Sequence, residues 1–291
     1  MRRFDTVIVV DWSAGKRSRK KAKKDAIWIG IARSGGTTTE YVRSRHDAES
    51  RLTAVILEEQ AAKRSTLVAL DFPFGYPKGF TRNVVDADDP LLLWDWLSTE
   101  IKDPADGKNN RFAVAEKLNA KFDGLGPFWG KTFKDADPRD LHPGVPYRKA
   151  GIIYDRFSER RSCDLAAKAS SSCFQLAFPP TVGGQALTGL PVLSRLRRLE
   201  GVAVWPFQKW QDAPTMLAEI WPGLIEPAVR WGIADGDIRD EVQVRLLARA
   251  LLALPAETLH DLMADLPEEA TEESWILGIG ASDRLCALCL N

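Results

Sequence analysis

The sequence predicts an α/β protein built on a mixed sheet, three antiparallel strands followed by parallel ones, with helices on its flanks. Three observations predict it. Two apolar runs, Val7-Ile8-Val9-Val10 and Leu67-Val68-Ala69-Leu70, each stop at an aspartate, Asp11 and Asp71. Uninterrupted β-favouring runs read as buried central strands, and α/β sheets place their ligands just past such strand ends. Two further β-favouring segments follow the first run after short connections. A helical pattern then separates them from the second run, as a parallel crossover requires.

Taken in order, the first strand ends at Asp11. Residues 16–24 then carry Lys16, Arg17, Arg19, Lys20, Lys21, Lys23 and Lys24, seven positive charges in nine positions. The run reads as a turn, and it starts close enough to Asp11 to overhang a site there and attract a polyanion. Residues 26–32 form the second strand, Ser34-Gly35-Gly36 a turn, and residues 39–43 the third strand of an antiparallel meander. Residues 47–63 space Leu52, Val55, Ile56, Leu57 and Ala61 as a helix, with Glu58 and Glu59 on the other side. That helix leads into the strand ending in Asp71. This is the order of a ribonuclease H-like core, whose first and fourth strands are adjacent and carry metal-binding acids. On that reading Asp11 and Asp71 face each other, and two unpaired carboxylates so close call for a divalent cation.

Residues 72–160 break the alternation and read as an insertion or subdomain over the strand ends, within one domain spanning 1–291. Phe72 to Pro77 is a stiff aromatic turn, residues 90–101 a short helix, and Asn109-Asn110-Arg111-Phe112 the opening of another. Residues 124–146, rich in Gly and Pro, are a loop of a length usual over a site. Beyond lies a helix over 164–176, with Arg160 and Arg161 just before it. Val182-Gly183-Gly184-Gln185 is a turn whose glycines permit positive φ, and a helix runs from Gly189 to Leu199 with Pro191 in its first turn. Strands at 201–207 and 215–221 follow, the second carrying a third strand-end acid, Glu219. A strong helix covers 238–252 with Asp240 in its first turn, and residues 275–280 are a short apolar strand or turn.

An apolar content of 45%, a charged content of 27% and a net charge of zero fit a soluble globular protein and argue against a dedicated non-specific nucleic-acid binder. No apolar run approaches the roughly eighteen residues that span a bilayer. Met1-Arg2-Arg3-Phe4-Asp5 leads into a strand without an apolar signal core, so a cytoplasmic location and no membrane partner are expected. Residues 257–273 carry seven acids and no Lys or Arg. Cys163, Cys173, Cys286 and Cys289 lack the spacing of a four-thiolate zinc site and read as buried structural thiols. His46, His142 and His260 lie far apart, and no P-loop or dinucleotide-binding glycine motif is present.

Nine patches, in order, carry a resemblance. They are Val10-Asp11-Trp12-Ser13-Ala14, Asp71-Phe72-Pro73-Phe74-Gly75, Asn110-Arg111-Phe112, Gly126-Pro127-Phe128-Trp129-Gly130, Phe174-Gln175-Leu176, Val182-Gly183-Gly184-Gln185, Val204-Trp205-Pro206-Phe207, Glu219-Ile220-Trp221-Pro222 and Trp275-Ile276-Leu277-Gly278. Together they resemble a bacterial domain-of-unknown-function family of the ribonuclease H-like superfamily, described as predicted nucleases, some members of which are labelled "molybdopterin guanine dinucleotide synthesis". The resemblance implies that Asp11, Asp71 and Asp240 stand for the superfamily's acids on the first strand, fourth strand and last helix. Glu219 matches the family's acid before its aromatic–proline pair. Where such families carry an Asp-Ala pair in the last helix this chain has Gln243-Val244, which leaves Asp240 or Asp237 as the last acid.

The function expected is a divalent-metal-dependent phosphodiesterase or nuclease acting on a nucleic acid or a nucleotide phosphate. Asp11, Asp71, Glu219 and Asp240 would be catalytic and hold two Mg²⁺ or Mn²⁺ ions roughly 3.5–4 Å apart. Ser13, Lys16, Arg111, Arg160, Arg161 and Gln185 are the substrate-binding candidates. Two alternatives stand beside it: an actin-like ATPase or kinase, for which only residues 182–185 offer a phosphate loop, and a non-catalytic binding module in molybdopterin metabolism. Glu219 discriminates among them. A carboxylate beside Leu217, Ile220 and Trp221 is either an ion ligand shared with Asp11 and Asp71 or the partner of an arginine. Oligomeric state is not legible.

Overall fold

The computed structural model describes residues 4–131, 142–168, 171–179 and 181–290. Its centre is a six-stranded sheet in the order β3-β2-β1-β4-β6-β5. β1 (Thr6–Asp11), β2 (Ile27–Arg33) and β3 (Gly36–Val42) form the antiparallel meander, and β4 (Thr66–Asp71) lies parallel to β1. β6 (Thr215–Glu219) lies parallel to β4, with β5 (Val202–Val204) at the edge. The mixed sheet flanked by helices is the α/β architecture expected from the sequence.

Both faces of the sheet are covered, and alternate side chains of each strand divide between two cores. Ile8, Val10, Val68, Leu70 and Leu217 pack with α1 (Arg45–Ala61), α6 (Gly183–Leu196) and aromatic residues of the segment 72–160. Val7, Val9, Leu67, Ala69, Met216 and Ala218 pack with α7 (Glu226–Gly232), α8 (Arg239–Ala253) and the C-terminal helices. Within residues 72–160, α2 (Phe80–Val85), α3 (Pro90–Glu100) and α4 (Arg111–Asn119) send Phe80, Trp94 and Phe112 into the same core as the first face. The crossover helix α1 is capped as its sequence suggests, Ser44 accepting from the amide of Asp47 at 3.1 Å.

Two expectations are corrected, and one stretch left unassigned by the sequence takes shape. The helix over 164–176 is only α5 (Ser162–Ala166) among the described residues, which exclude 169–170. Beyond it, Gln175 forms a parallel backbone bridge with Trp129, the Trp129 amide donating to the Phe174 carbonyl at 3.2 Å and the Leu176 amide to the Trp129 carbonyl at 2.8 Å, so tertiary pairing overrides helix spacing. Gly183 and Gly184 open α6 instead of forming a separate turn, and Pro191 lies inside that helix. These glycines serve close approach: a Cβ on Gly183 would lie 2.6 Å from the carbonyl oxygens of Cys173 and Gln175. Finally, the acidic stretch and the C-terminal segment form α9 (Ala256–Ala264), α10 (Ala270–Glu273) and α11 (Ser282–Leu290), of which α11 packs on α8. Residues 132–141 of the expected loop lie outside the described residues.

Candidate active site

The site begins with strand register. β1 and β4 pair so that Asp11 stands directly opposite Asp71 at their C-terminal ends. Parity then decides direction. Val9 and Ala69, two residues before the acids, face α8, so Asp11 and Asp71 point to that side as well. Asp240, in the first turn of α8, reaches the same end of the sheet, and its Oδ2 accepts from the amide of Asp25 at 2.7 Å. Asp25 is held there at a positive φ of 56°.

The acids repel. Burial pushes the Asp11 carboxyl well above its ordinary range, and the charges of Asp71, Asp240 and Asp25 push it further. Burial, then Glu219 and Asp240, raise Asp71 to about 8. Asp240 is raised by burial and by Asp25's charge, partly offset by the Asp25 amide. Among the described residues, neither Asp11 nor Asp71 makes a side-chain hydrogen bond or ion pair.

An open cleft of about 540 Å³ is lined by Asp11, Ser13, Asp25, Arg111, Gln185 and Asp240 among others, with Gln243 beside Asp240; Asp71 lines a second cleft that shares Gln185 with the first and also holds Glu219 and Arg161. Gln185, in the first turn of α6, donates to the carbonyl of Trp12 at 2.5 Å, and Ser13 Oγ accepts from the amide of Gly15 at 3.2 Å. Arg111 donates to Asn109 Oδ1 at 3.0 Å and lies 4.5 Å from the centre of the Phe112 ring. Lys16 and Arg160 line neither this cleft nor the one beside Asp71. Asp237 is exposed and caps the amide of Ala234 at 3.0 Å, which leaves Asp240 as the last-helix acid in the cleft.

Glu219 has a different fate. β6 pairs with β4 so that Glu219 stands opposite Leu70, not Asp71, and this one-residue offset turns it towards the α1–α6 face. There it is 2% exposed and bound by Arg161 through both oxygens, at 2.6 and 2.7 Å, while the amide of Phe74 donates to it at 2.9 Å. Arg161, itself 1% exposed, also pairs with Asp164 at 2.8 Å and donates to the carbonyl of Glu273. Its guanidinium is therefore occupied within the protein. Of the two fates expected for Glu219, the structure places it in the arginine pair. Among the described residues, no group of three or more His, Cys, Asp or Glu side chains is arranged to hold a metal ion. The four expected acids accordingly form no ready-made cage. All four cysteines are free thiols, and three of them are buried.

Sequence reasoning missed Arg45. Buried at the start of α1, it forks onto Asp103 at 2.6 and 2.7 Å and donates to the carbonyls of Ser13 (2.9 Å), Gly15 (2.6 Å) and Gly107 (3.2 Å). It thereby fixes the loop that leaves Asp11. Asp25 was hidden at the end of the basic run. The adjoining Ser44, a visible helix cap, marks where Arg45 lies but not what it binds.

No family model, no curated protein and no solved structure matches the chain. What it does rests on the chemistry of its own residues.

Proposed function

We propose that the cleft binds a phosphate ester through a divalent cation held by Asp11 and Asp71, and that the protein hydrolyses that ester. The observation that carries this reading is the register of β1 and β4, which sets two carboxylates side by side with no cationic partner among the described residues. Mg²⁺ is commonly held by one or two carboxylates, with water and substrate phosphate filling its other positions. The Asp11–Asp71 pair fits one such ion, with the second oxygen of Asp240 nearby. It does not fit a cage of four carboxylates around two ions, because Glu219 is engaged by Arg161. When bound, the ion supplies polarisation of a phosphate oxygen and a more acidic water. Arg111 and the N-terminal turn of α6 line the same cleft as Asp11, where positive charge and helix dipole favour an anion. Strand order, with the two acids on neighbouring parallel strands, supports a ribonuclease H-like reading of the sheet, and with it a nucleic acid or nucleotide phosphate as the substrate.

The test is calorimetric titration with Mn²⁺, followed by hydrolysis of bis(p-nitrophenyl) phosphate in its presence. The wild type binds Mn²⁺ and turns over; Asp11→Asn loses binding by tenfold or more and loses turnover while remaining folded. A wild type without Mn²⁺ affinity overturns the reading. The loss of Glu219 from the acid set favours a second reading, a metal-dependent binding module, and Mn²⁺ affinity without turnover of any phosphodiester would select it.

A further inference from the structure

We infer that the loop between β1 and β2 is a docking surface for the phosphodiester backbone of a nucleic acid. All seven cationic side chains of residues 16–24 are exposed. Among the described residues only Arg17 of the seven makes an ion pair, with Asp47 at 3.1 Å. The rest of the chain carries a net charge of −7, so the molecule is polarised, with its positive charge gathered at this edge.

The loop is pinned along its length. The Arg17 amide donates to the Asp106 carbonyl at 3.1 Å and the Ser18 amide to the Arg43 carbonyl at 2.7 Å. The Tyr41 hydroxyl donates to the Arg19 carbonyl at 2.9 Å, and Trp28 Nε1 to the Lys23 carbonyl at 3.2 Å. Arg45 holds the entry, and the Asp25–Asp240 bond holds the exit. A merely solvated charge run needs none of these bonds. The cations project from fixed backbone, which lowers the ordering cost of binding.

Chemistry narrows the partner. A mononucleotide can meet only one or two of these groups, whereas a nucleic-acid strand presents a charge about every 3.4 Å. A lipid surface is disfavoured because the only apolar side chain among residues 16–24 is Ala22, with nothing to insert. The choice of a phosphodiester rests on the reading of the adjacent cleft: the loop leaves from Asp11 and returns at Asp25, which bonds Asp240, so a strand lying on it runs into the acids.

The test is a variant with Arg19, Lys20, Lys21, Lys23 and Lys24 all changed to Ser. It spares Arg17, which bonds Ser44 and the carbonyl of Ala105 and helps hold the loop. Fluorescence anisotropy is run in EDTA with labelled single-stranded and duplex 20-mers between 50 and 200 mM salt. Each phosphate contact contributes about −0.7 (single strand) to −0.9 (duplex) to the slope of log K against log salt. The variant should bind at least tenfold more weakly, with a slope flatter by up to about 3.5 (single strand) or about 4.5 (duplex), and keep the wild-type melting temperature and Mn²⁺ affinity. An unchanged affinity and slope overturns the inference, as does a wild type that binds phosphatidylserine vesicles and neither oligonucleotide. A wild type that binds oligonucleotide through the loop but no Mn²⁺ overturns the cation reading of the cleft and leaves the docking surface standing.

Discussion

Glu219 and Asp71 sit one register step apart on neighbouring strands; both line one cleft and the charge of Glu219 raises Asp71, yet Glu219 alone is paired with an arginine, Arg161. The strand ends made all three acids visible in the sequence, because a carboxylate closing an apolar run stands out. Register between β4 and β6 is not visible there, since it is set by packing of whole faces, and a slip of one residue reverses every side chain. Hence Asp11 and Asp71 were legible as a pair, Asp240 only as one of two candidates that the resemblance left open, and the partnership of Glu219 with Arg161 only as one of two alternatives. The two roles separate experimentally. Arg161→Ala leaves Glu219 and Asp164 buried without their counter-charge and should cost about 3–5 kcal/mol in urea unfolding. Glu219→Gln should leave Mn²⁺ affinity within a factor of two of wild type; a tenfold loss would return Glu219 to the cation site.

At the scale of elements, β1, β2, β4 and the long helices α1, α3 and α8 follow their sequence patterns closely, whereas the strands expected over 201–207 and 215–221 shorten to β5 and β6. The discrepancies cluster where the chain is shaped by contacts distant in sequence. α6 begins six residues earlier than expected, because Gly183 lets the helix start press against the carbonyls of Cys173 and Gln175. That placement carries Gln185 to the Trp12 carbonyl beside Asp11. Gly183→Ala should therefore lower stability by about 1–3 kcal/mol, the usual range for overpacking, and weaken Mn²⁺ binding as the helix start shifts. Gly35 is the control: a Cβ there meets nothing within 4 Å, so Gly35→Ala should be neutral or slightly stabilising. Equal melting temperatures for the two variants would refute the close-approach account.

Across the whole molecule, two carboxyl groups at opposite ends of the sheet set opposing pH dependences. Glu59, 0% exposed, is pushed up by burial, but hydrogen bonds from Arg64, Thr6 and Arg33 outweigh that and hold it at about 2, below its ordinary 4.5. Its stabilisation is complete above about pH 4.5 and is lost as pH falls towards 2. Asp71 works the other way. Its folded value of about 8 lies above the ordinary 3.8, so the unfolded chain releases this proton first. In metal-free protein, stability should then decline as pH rises from about 4 to about 8. The combined curve, recorded by thermal unfolding in EDTA, should peak at mildly acidic pH. Asp71→Asn removes the Asp71 titration and the like charge opposite Asp11 and should reduce the decline between about pH 5 and 8, leaving the part that burial of Asp11 sets, and make the variant more stable than wild type at pH 8. Saturating Mn²⁺ should reverse the wild-type trend, because an ion that binds the ionised native pair stabilises the fold by about 2.7 kcal/mol at a hundredfold excess over Kd. Asp71→Asn, lacking half the pair, should gain little from Mn²⁺. A wild-type curve flat from pH 5 to 8 in EDTA would mean that the two aspartates do not repel, and the case for a cation between them would fall with that result.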